Sequence, residues 1–257
     1  MSENIKFVNH HKNYSIYQEN GKWTFYYSNS IVESIHCVPG DLDRKTYRFS
    51  PSKITVKYKT GESYTWENNH IHGYNLGFGI AVSNDGTKIF VQTWEFGMFC
   101  LDAKTGNSIW RTKSKRGITN IFVGDNTITA QLHDYAMQLI DINTGEVIKE
   151  KRPSTAWGFT TLDNRYILCH VTARKWEIID AETMETKETF TNKEFMGGQT
   201  DFIVNHVEIS EDGRLHITGF KNVWDETQKP PKKLPNIEFD HFLYSKVFDK
   251  KETVTEK

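Results

Sequence analysis

One pattern recurs three times at a spacing of 39 residues, and it narrows the possible folds more than any other feature of this sequence. The segments Met98–Gly106 (MFCLDAKTG), Met137–Gly145 (MQLIDINTG) and Trp176–Met184 (WEIIDAETM) align on Asp102, Asp141 and Asp180. The register extends upstream, where Ile89, Ile128 and Ile167 form one apolar column and Val91, Ala130 and Cys169 a second. Each repeat holds an apolar run such as Gly79–Val82, a tight turn, the strand Ile89–Thr93, a hairpin, a strand ending at the aspartate, a Lys104-Thr105-Gly106-type turn and a short last strand. Asp85-Gly86, Asp125-Asn126, Asp163-Asn164 and Asp212-Gly213 put turn formers between the first two strands of four successive units. A four-stranded antiparallel unit of this length cannot bury both of its faces alone. It must stack radially on copies of itself, which makes the expected fold an all-β propeller of four-stranded antiparallel blades.

The repeat sets the domain reading: one propeller over residues 1–257, with blades at 79–116, 117–156 and 157–200. Residues 1–78 read as degenerate N-terminal strands, with a hairpin at Asn20-Gly21 and a later set ending in Thr60-Gly61. Residues 201–257 read as a last blade with strands at 203–210, 214–223, 239–249 and 252–256, and with Phe248-Asp249-Lys250-Lys251 at the aspartate turn. The stretch 225–236, DETQKPPKKLPN, carries three of the six prolines and reads as an extended, partly polyproline loop within that blade. Five blades is the leading count and six the alternative, depending on how residues 1–30 are used.

Composition closes off several function classes. With 32 basic and 33 acidic residues the net charge is −1, so no overall field draws the chain to nucleic acid or to an anionic membrane. No apolar run resembles a signal peptide and no stretch of 18 apolar residues occurs, so the expected location is cytoplasmic. The three cysteines, Cys37, Cys100 and Cys169, lack metal-knuckle spacing; Cys100 and Cys169 fall in the apolar columns and read as buried small hydrophobes.

The segment Asp102–Trp110 (DAKTGNSIW) resembles the aspartate–threonine–glycine–tryptophan repeat of the quinoprotein-like propellers, the superfamily of the pyrroloquinoline quinone dehydrogenases. The resemblance implies that the glycine takes the turn between the last two strands and that the tryptophan docks onto the neighbouring blade. The other copies depart from the motif: Lys149 stands at the tryptophan position, Met184 at the glycine position, and Trp66 falls one place late after Thr60-Gly61. The cofactor enzymes of the superfamily are longer and carry a calcium site and adjacent cysteines, so no pyrroloquinoline quinone or other cofactor is expected here.

The alignment also sorts loops by face. The hairpins between second and third strands contribute Trp94, Glu95 and Phe96, then His133, Asp134 and Tyr135, then Arg174 and Lys175. The blade-to-blade connections and the proline-rich insertion share that end, whereas the other end carries generic turns. Loops that vary on a repeating framework are where binding resides, and tryptophan, tyrosine and arginine are the residue types that anchor interfaces. These eight residues are the candidate partner-binding set. Lys113, Lys115, Arg116, Lys149, Lys151 and Arg152 could add a basic patch, although charged loop residues are ordinarily just solvated. No nucleophile elbow, phosphate-cradling glycine loop or catalytic triad signature occurs. The expected function is therefore a non-catalytic module that binds another protein, for instance a stoichiometric inhibitor or a toxin-immunity protein. The alternative is a metal-dependent, lactonase-like hydrolase or small-molecule binder whose central channel uses His70, His72, Glu95 and Asp134.

Overall fold

The computed structural model describes residues 5–248 except 12–13, 28–30, 47, 70, 72–79, 93–96, 113–115, 135, 153–158, 164, 173–174 and 199–202. The chain forms two compact units, Met1–Arg152 and Pro153–Lys257. Both are built of antiparallel sheets; among the described residues one helical turn, Asn192–Phe195, interrupts the strands.

In the first unit, strands β1 (Ile5–His11), β2 (Tyr14–Glu19), β3 (Lys22–Tyr27) and β4 (Val32–Val38) run as a meander. After a small ribbon of β5 (Leu42–Asp43) and β6 (Arg48–Phe49), β7 (Ser52–Tyr58) and β8 (Ser63–Asn68) complete a six-stranded sheet. The N-terminal strands thus belong to one continuous sheet. The β2–β3 turn is Asn20-Gly21, both at positive φ (48° and 75°), the backbone a two-residue hairpin needs.

Two four-stranded sheets follow. The first holds β9 (Ile80–Val82), β10 (Lys88–Gln92), β11 (Met98–Asp102) and β12 (Ser108–Arg111); the second holds β13 (Ile118–Val123), β14 (Thr127–Leu132), β15 (Met137–Asp141) and β16 (Val147–Lys151). The period-2 alternation of a strand explains why β10 and β11 read as unbroken apolar runs. Ile89, Val91, Phe99 and Leu101 point into a core shared with Phe25, Ile35, Ile54 and Val56 of the six-stranded sheet. Their neighbours Phe90, Met98 and Cys100 point the other way, into a core shared with Ile128, Ala130 and Ile140.

The repeated aspartates work as turn locks. Asp102 Oδ1 accepts the N–H groups of Lys104 (3.0 Å) and Thr105 (2.8 Å), Asp141 Oδ1 those of Asn143 (2.9 Å) and Thr144 (2.8 Å), and Asp180 Oδ1 those of Glu182 (3.0 Å) and Thr183 (3.1 Å). Gly106 and Gly145 close the turns at φ of 72°, and Met184 adopts the same left-handed backbone at 56°.

Above these turns lie the tryptophans of the preceding sheets. Trp66 Nε1 donates to the carbonyl of Ala103 (3.1 Å) and Trp110 Nε1 to that of Ile142 (3.0 Å). A Cβ on Gly106 would sit 2.4 Å from the Trp66 ring, and one on Gly145 2.5 Å from the Trp110 ring. The glycine therefore does two things: it takes the positive φ and it clears room for an indole. Trp66 docks as Trp110 does despite its late position. A bulge at Ile109 lets Trp110 pair with Cys100, two residues before Asp102, while the shorter, unbulged hairpin pairs Trp66 with Ile54, four residues before Tyr58. Both separations are even, so both indoles leave the same face of the sheet.

In the second unit β17 (Phe159–Thr161), β18 (Tyr166–Thr172), β19 (Lys175–Asp180) and β20 (Thr186–Thr191) form a four-stranded sheet. β21 (Ile203–Ile209), β22 (Leu215–Asp225) and β23 (Lys232–Leu243) form a three-stranded one. Leu168, Ile178, Phe190, Phe195, Val207, Leu215, Ile217 and Phe239 make its core.

Two expectations for the last blade need correction. The stretch 225–236 is not a polyproline loop: β22 runs to Asp225 and β23 starts at Lys232, so only the tip lies outside the strands. Its prolines fall where a strand tolerates them, Pro230 and Pro231 in the tip and Pro235 in a bulge opposite Asn222, between the pairs Val223–Leu234 and Lys221–Ile237. The strand expected over 239–249 ends at Leu243 and a turn follows at Ser245–Phe248, while residues 249–251 of the expected aspartate turn lie outside the described residues. Ser245 takes the aspartate's part there, its Oγ accepting from Val247 N (3.3 Å) and its carbonyl from Phe248 N (3.3 Å). The expected strand 252–256 lies outside the described residues.

Candidate functional site

Of the eight residues expected to bind a partner, His133, Asp134 and Lys175 lie among the described residues; Trp94, Glu95, Phe96, Tyr135 and Arg174 lie outside them. So do His70, His72 and Glu95 of the metal alternative. Asp134, its fourth member, is engaged elsewhere. Both its carboxylate oxygens accept from Arg116 Nη2 at 2.6 Å, and Arg116 Nη1 donates to Glu150 Oε2 at 2.9 Å. Glu150 also accepts from Gln138 Nε2 (2.8 Å) and Arg152 Nε (3.1 Å). Among the described residues no group of three or more His, Cys, Asp or Glu is placed to hold a metal ion.

This network joins the β14–β15 hairpin to the segments entering and leaving the β13–β16 sheet, so within that sheet the hairpin and the connections do share one end. Its energetics are those of a local brace. Burial pushes the Asp134 carboxyl up, but the hydrogen bond and charge of Arg116, the Ala136 N–H and the charge of Arg152 together hold it below the usual range. Two of the residues expected in a basic patch, Arg116 and Arg152, are thereby neutralised by carboxylates within the unit. In the other unit Lys175 Nζ donates to the buried Glu177 at 2.6 Å, and Glu177 also accepts from Thr186 Oγ1 at 2.9 Å.

A more conspicuous surface lies on the β22–β23 hairpin. Its buried face, with Ile217, Gly219 and Phe239, continues outward along the pairs Lys221–Ile237, Val223–Leu234 and Asp225–Lys232. β21 pairs with β22 only as far as Phe220, so past that residue the hairpin is a two-stranded arm among the described residues. On it Ile237 is 54% exposed and Leu234 38%; on the opposite face Trp224, paired with Lys233, is 52% exposed. Lys221, Lys232 and Lys233 flank these side chains, and Lys229 sits at the tip. The sequence reading placed this segment at the binding end but missed its apolar residues. The signal was there: Val223, Leu234 and Ile237 lie between prolines and lysines at strand-compatible spacing.

A third arrangement lies on the three-stranded sheet, at the end nearest the β21–β22 turn. His216 on β22 faces Glu208 on β21, with Nδ1 3.1 Å from Oε1, and Asp240 on β23, with Nε2 3.1 Å from Oδ1. His206 Nε2 lies 3.5 Å from the other oxygen of Glu208.

Comparison with known proteins bears on the repeat rather than on these surfaces. No curated protein matches the chain in sequence. Among solved structures it is similar to BamB from Moraxella catarrhalis, with 12% identity over 78% of this chain and 57% of that one and a TM-score of 0.47. It is also similar to the β-propeller domain of Cps50 (Swd1) from Myceliophteria thermophila, with 13% identity over 92% and 86% of the two chains and a TM-score of 0.47. The WD40 domain of Pan2 from Neurospora crassa matches with 12% identity over 83% and 74% and a TM-score of 0.45. The chain thus spans little more than half the length of the BamB structure it matches. The family model described as outer membrane protein assembly factor BamB matches residues 54–188, a segment holding both docked tryptophans and all three aspartate turns, and the chain belongs to this BamB-like, quinoprotein-type family of β-propeller repeats.

Proposed function

We propose that this chain is a non-catalytic binding module that grips another protein through the β22–β23 arm. The observation that carries this reading is the exposed apolar set Trp224, Leu234 and Ile237 on an arm that extends past β21. Soluble surfaces scatter single apolar residues freely, but an aromatic and two aliphatics gathered on one projecting element mark an interaction site. Tryptophan is the commonest interface anchor. The flanking Lys221, Lys232 and Lys233 favour a partner with an acidic rim around an apolar cleft. The matched family is named for an assembly factor of other proteins, and a binding role is in keeping with that name. His133 and Asp134, at the loop end of the β13–β16 sheet, are a second contact in this reading. The five sheets of three or more strands are read as five blades.

The test is cross-linking of the full chain in an extract of its source cells, with mass spectrometry of the captured proteins, for the wild type beside Trp224→Ala/Ile237→Asp. We expect one stoichiometric partner whose affinity falls about 30-fold or more in the variant, the loss a hot spot of about 2 kcal/mol implies. Unchanged thermal unfolding of the variant shows the arm to be dispensable for the fold. Capture of the same partner with equal affinity by both proteins refutes the arm as the contact, and failure of the wild type to retain any stoichiometric partner refutes the binding function.

A further inference from the structure

His216 sits between two carboxylates in an arrangement that only one protonation state satisfies. Its Nδ1 meets Glu208 Oε1 and its Nε2 meets Asp240 Oδ1, both at 3.1 Å. A neutral imidazole has a single N–H, so one of these contacts would set a nitrogen lone pair against a carboxylate oxygen. As an imidazolium the ring donates to both. It then links all three strands of the sheet, from Glu208 on β21 through β22 to Asp240 on β23. The position is at the β21–β22 turn end of the three-stranded section: Thr218, two residues on, pairs with both His206 and Asp240, and the two-stranded arm begins at Lys221, beyond the last β21 pair at Phe220.

We propose that His216 is a protonation-dependent clasp across the three-stranded sheet that carries the arm, closed as the imidazolium and loosened when the ring loses its proton. Its bearing on partner capture rests on the function proposed above, whereas its test reads the protein alone.

The surroundings favour the charged form. Glu208 and His206 approach from β21 and Asp240 from β23. Phe242 of β23 stacks on the imidazole, with centroids 4.4 Å apart and planes 5° from parallel. The positive group nearby is Arg214, just before β22, whose guanidinium lies over the Phe242 ring, 4.7 Å from its centroid, and is bound to Asp212 at 2.7 Å. Two carboxylates therefore act directly on the imidazole, while the guanidinium is held at the aromatic ring by a carboxylate of its own. The hydrogen bonds to Glu208 and then Asp240 raise the pKa of His216 above the ordinary histidine value, and those from His216 and then His206 lower that of Glu208. The sign follows. With the folded-state value raised, the clasp contributes fully below about pH 6.5 and is lost as pH rises through the raised value. On the acid side it is lost when Glu208 takes up a proton.

The experiment is side-chain NMR titration of His216 in the full chain, with amide hydrogen exchange of β22 and β23 over the same pH range, corrected for intrinsic rates. We expect a His216 midpoint above about 6.5, and protection of residues 215–220 and 238–243 falling roughly five-fold or more as pH passes through it. His206→Gln should keep that transition. His216→Gln should abolish it, and Asp240→Asn, which keeps the imidazole, should move it to lower pH. A His216 midpoint at or below the ordinary value overturns the clasp, as does the same loss of protection in His216→Gln. Neither result depends on a partner, so a clasp that titrates as expected in a protein that captures nothing refutes only the binding function.

Discussion

Gly145→Ala tests the joint between successive sheets, because the structure separates what that glycine contributes. Its φ of 72° lies in the left-handed region, where an alanine costs about 1–2 kcal/mol. A Cβ there would also meet Trp110 Cε3 at 2.5 Å and Cδ2 at 2.7 Å. Carbon atoms rest about 3.5–4.0 Å apart, so the indole must retreat by about 1 Å. Overpacking of this kind costs about 1–3 kcal/mol, and a strained or broken bond from Trp110 Nε1 to the Ile142 carbonyl adds about 1 kcal/mol. The expected total is about 3–6 kcal/mol. Gly21→Ala is the control, since Gly21 has a φ of 75° but no atom within 4 Å of the added Cβ. It should cost only the backbone part, about 1–2 kcal/mol. Both positions lie in the first unit, so urea unfolding followed by tryptophan fluorescence and circular dichroism reads both on one scale. Trp110→Ala alone should cost about 3–5 kcal/mol. Added to Gly145→Ala, it should remove the clash and leave the double variant about 1–3 kcal/mol more stable than the sum of the single changes. Equal costs at Gly145 and Gly21, or strict additivity in the double variant, would refute the docking argument.

Other outcomes follow from the same geometry. Asp134→Lys should destabilise the first unit by about 1 kcal/mol or slightly more in urea unfolding, because it sets a lysine against Arg116 in place of its carboxylate partner; no change would make the network ornamental. Burial pushes the thiols of Cys37 and Cys100 up to about 12, so neither should react with a disulfide reagent at pH 8 in the native protein, while both should react fully in denaturant. Fast native labelling at either position would contradict the packing. The bond from Thr144 N–H holds the carboxyl of Asp141 low, and the Ser210 hydroxyl with the Arg214 N–H holds that of Asp212 at about 2. Stability from such lowered groups is complete above about pH 4 and lost as pH falls through their folded values. The thermal midpoint should therefore drop below pH 4, with a shallower drop in Asp141→Asn, and equal slopes in wild type and variant would remove Asp141 from the account.

How far the fold could be read beforehand depended on which residues repeat. The columns at Ile89 and Val91 recur because a strand buried on both faces needs an apolar residue at every step, and the aspartates recur because each one locks a turn with its own carboxylate. Such requirements are local, so they leave a periodic trace. Trp66 looked misplaced because spacing counts residues, whereas docking depends on parity, which the Ile109 bulge in one hairpin and its absence in the other restore. The six-stranded meander carries no 39-residue copy, and its extent follows from pairing partners that no local pattern names. In the arm, prolines argue against a strand by their missing N–H, yet a bulge opposite Asn222 and a tip suffice to hold them. The His216 clasp uses residues from three strands between 208 and 240, a juxtaposition that only the register creates.

The departures from the motif are themselves ordered. Where a repeat supplies tryptophan, at Trp66 and Trp110, the next turn supplies glycine, at Gly106 and Gly145. The copy with methionine in place of glycine, Met184, follows the repeat whose tryptophan position is Lys149. One step later Glu188 stands at the tryptophan position, opposite Ile178 as Trp110 stands opposite Cys100. It accepts from Ser245 Oγ at 2.6 Å and Lys246 N at 3.3 Å, so a carboxylate rather than an indole now holds the neighbouring turn. The two tryptophans, the glycines beneath them and Glu188 are therefore accounted for by stacking, and the turn aspartates by the turns they lock. A residue whose identity is already required by stacking gives little information about a ligand. Trp224, Leu234 and Ile237 have no such requirement on them: they pair in the strands of the arm, yet burial does not explain their apolar side chains. That is the physical ground for assigning the binding role to the arm rather than to the repeat that identifies the family.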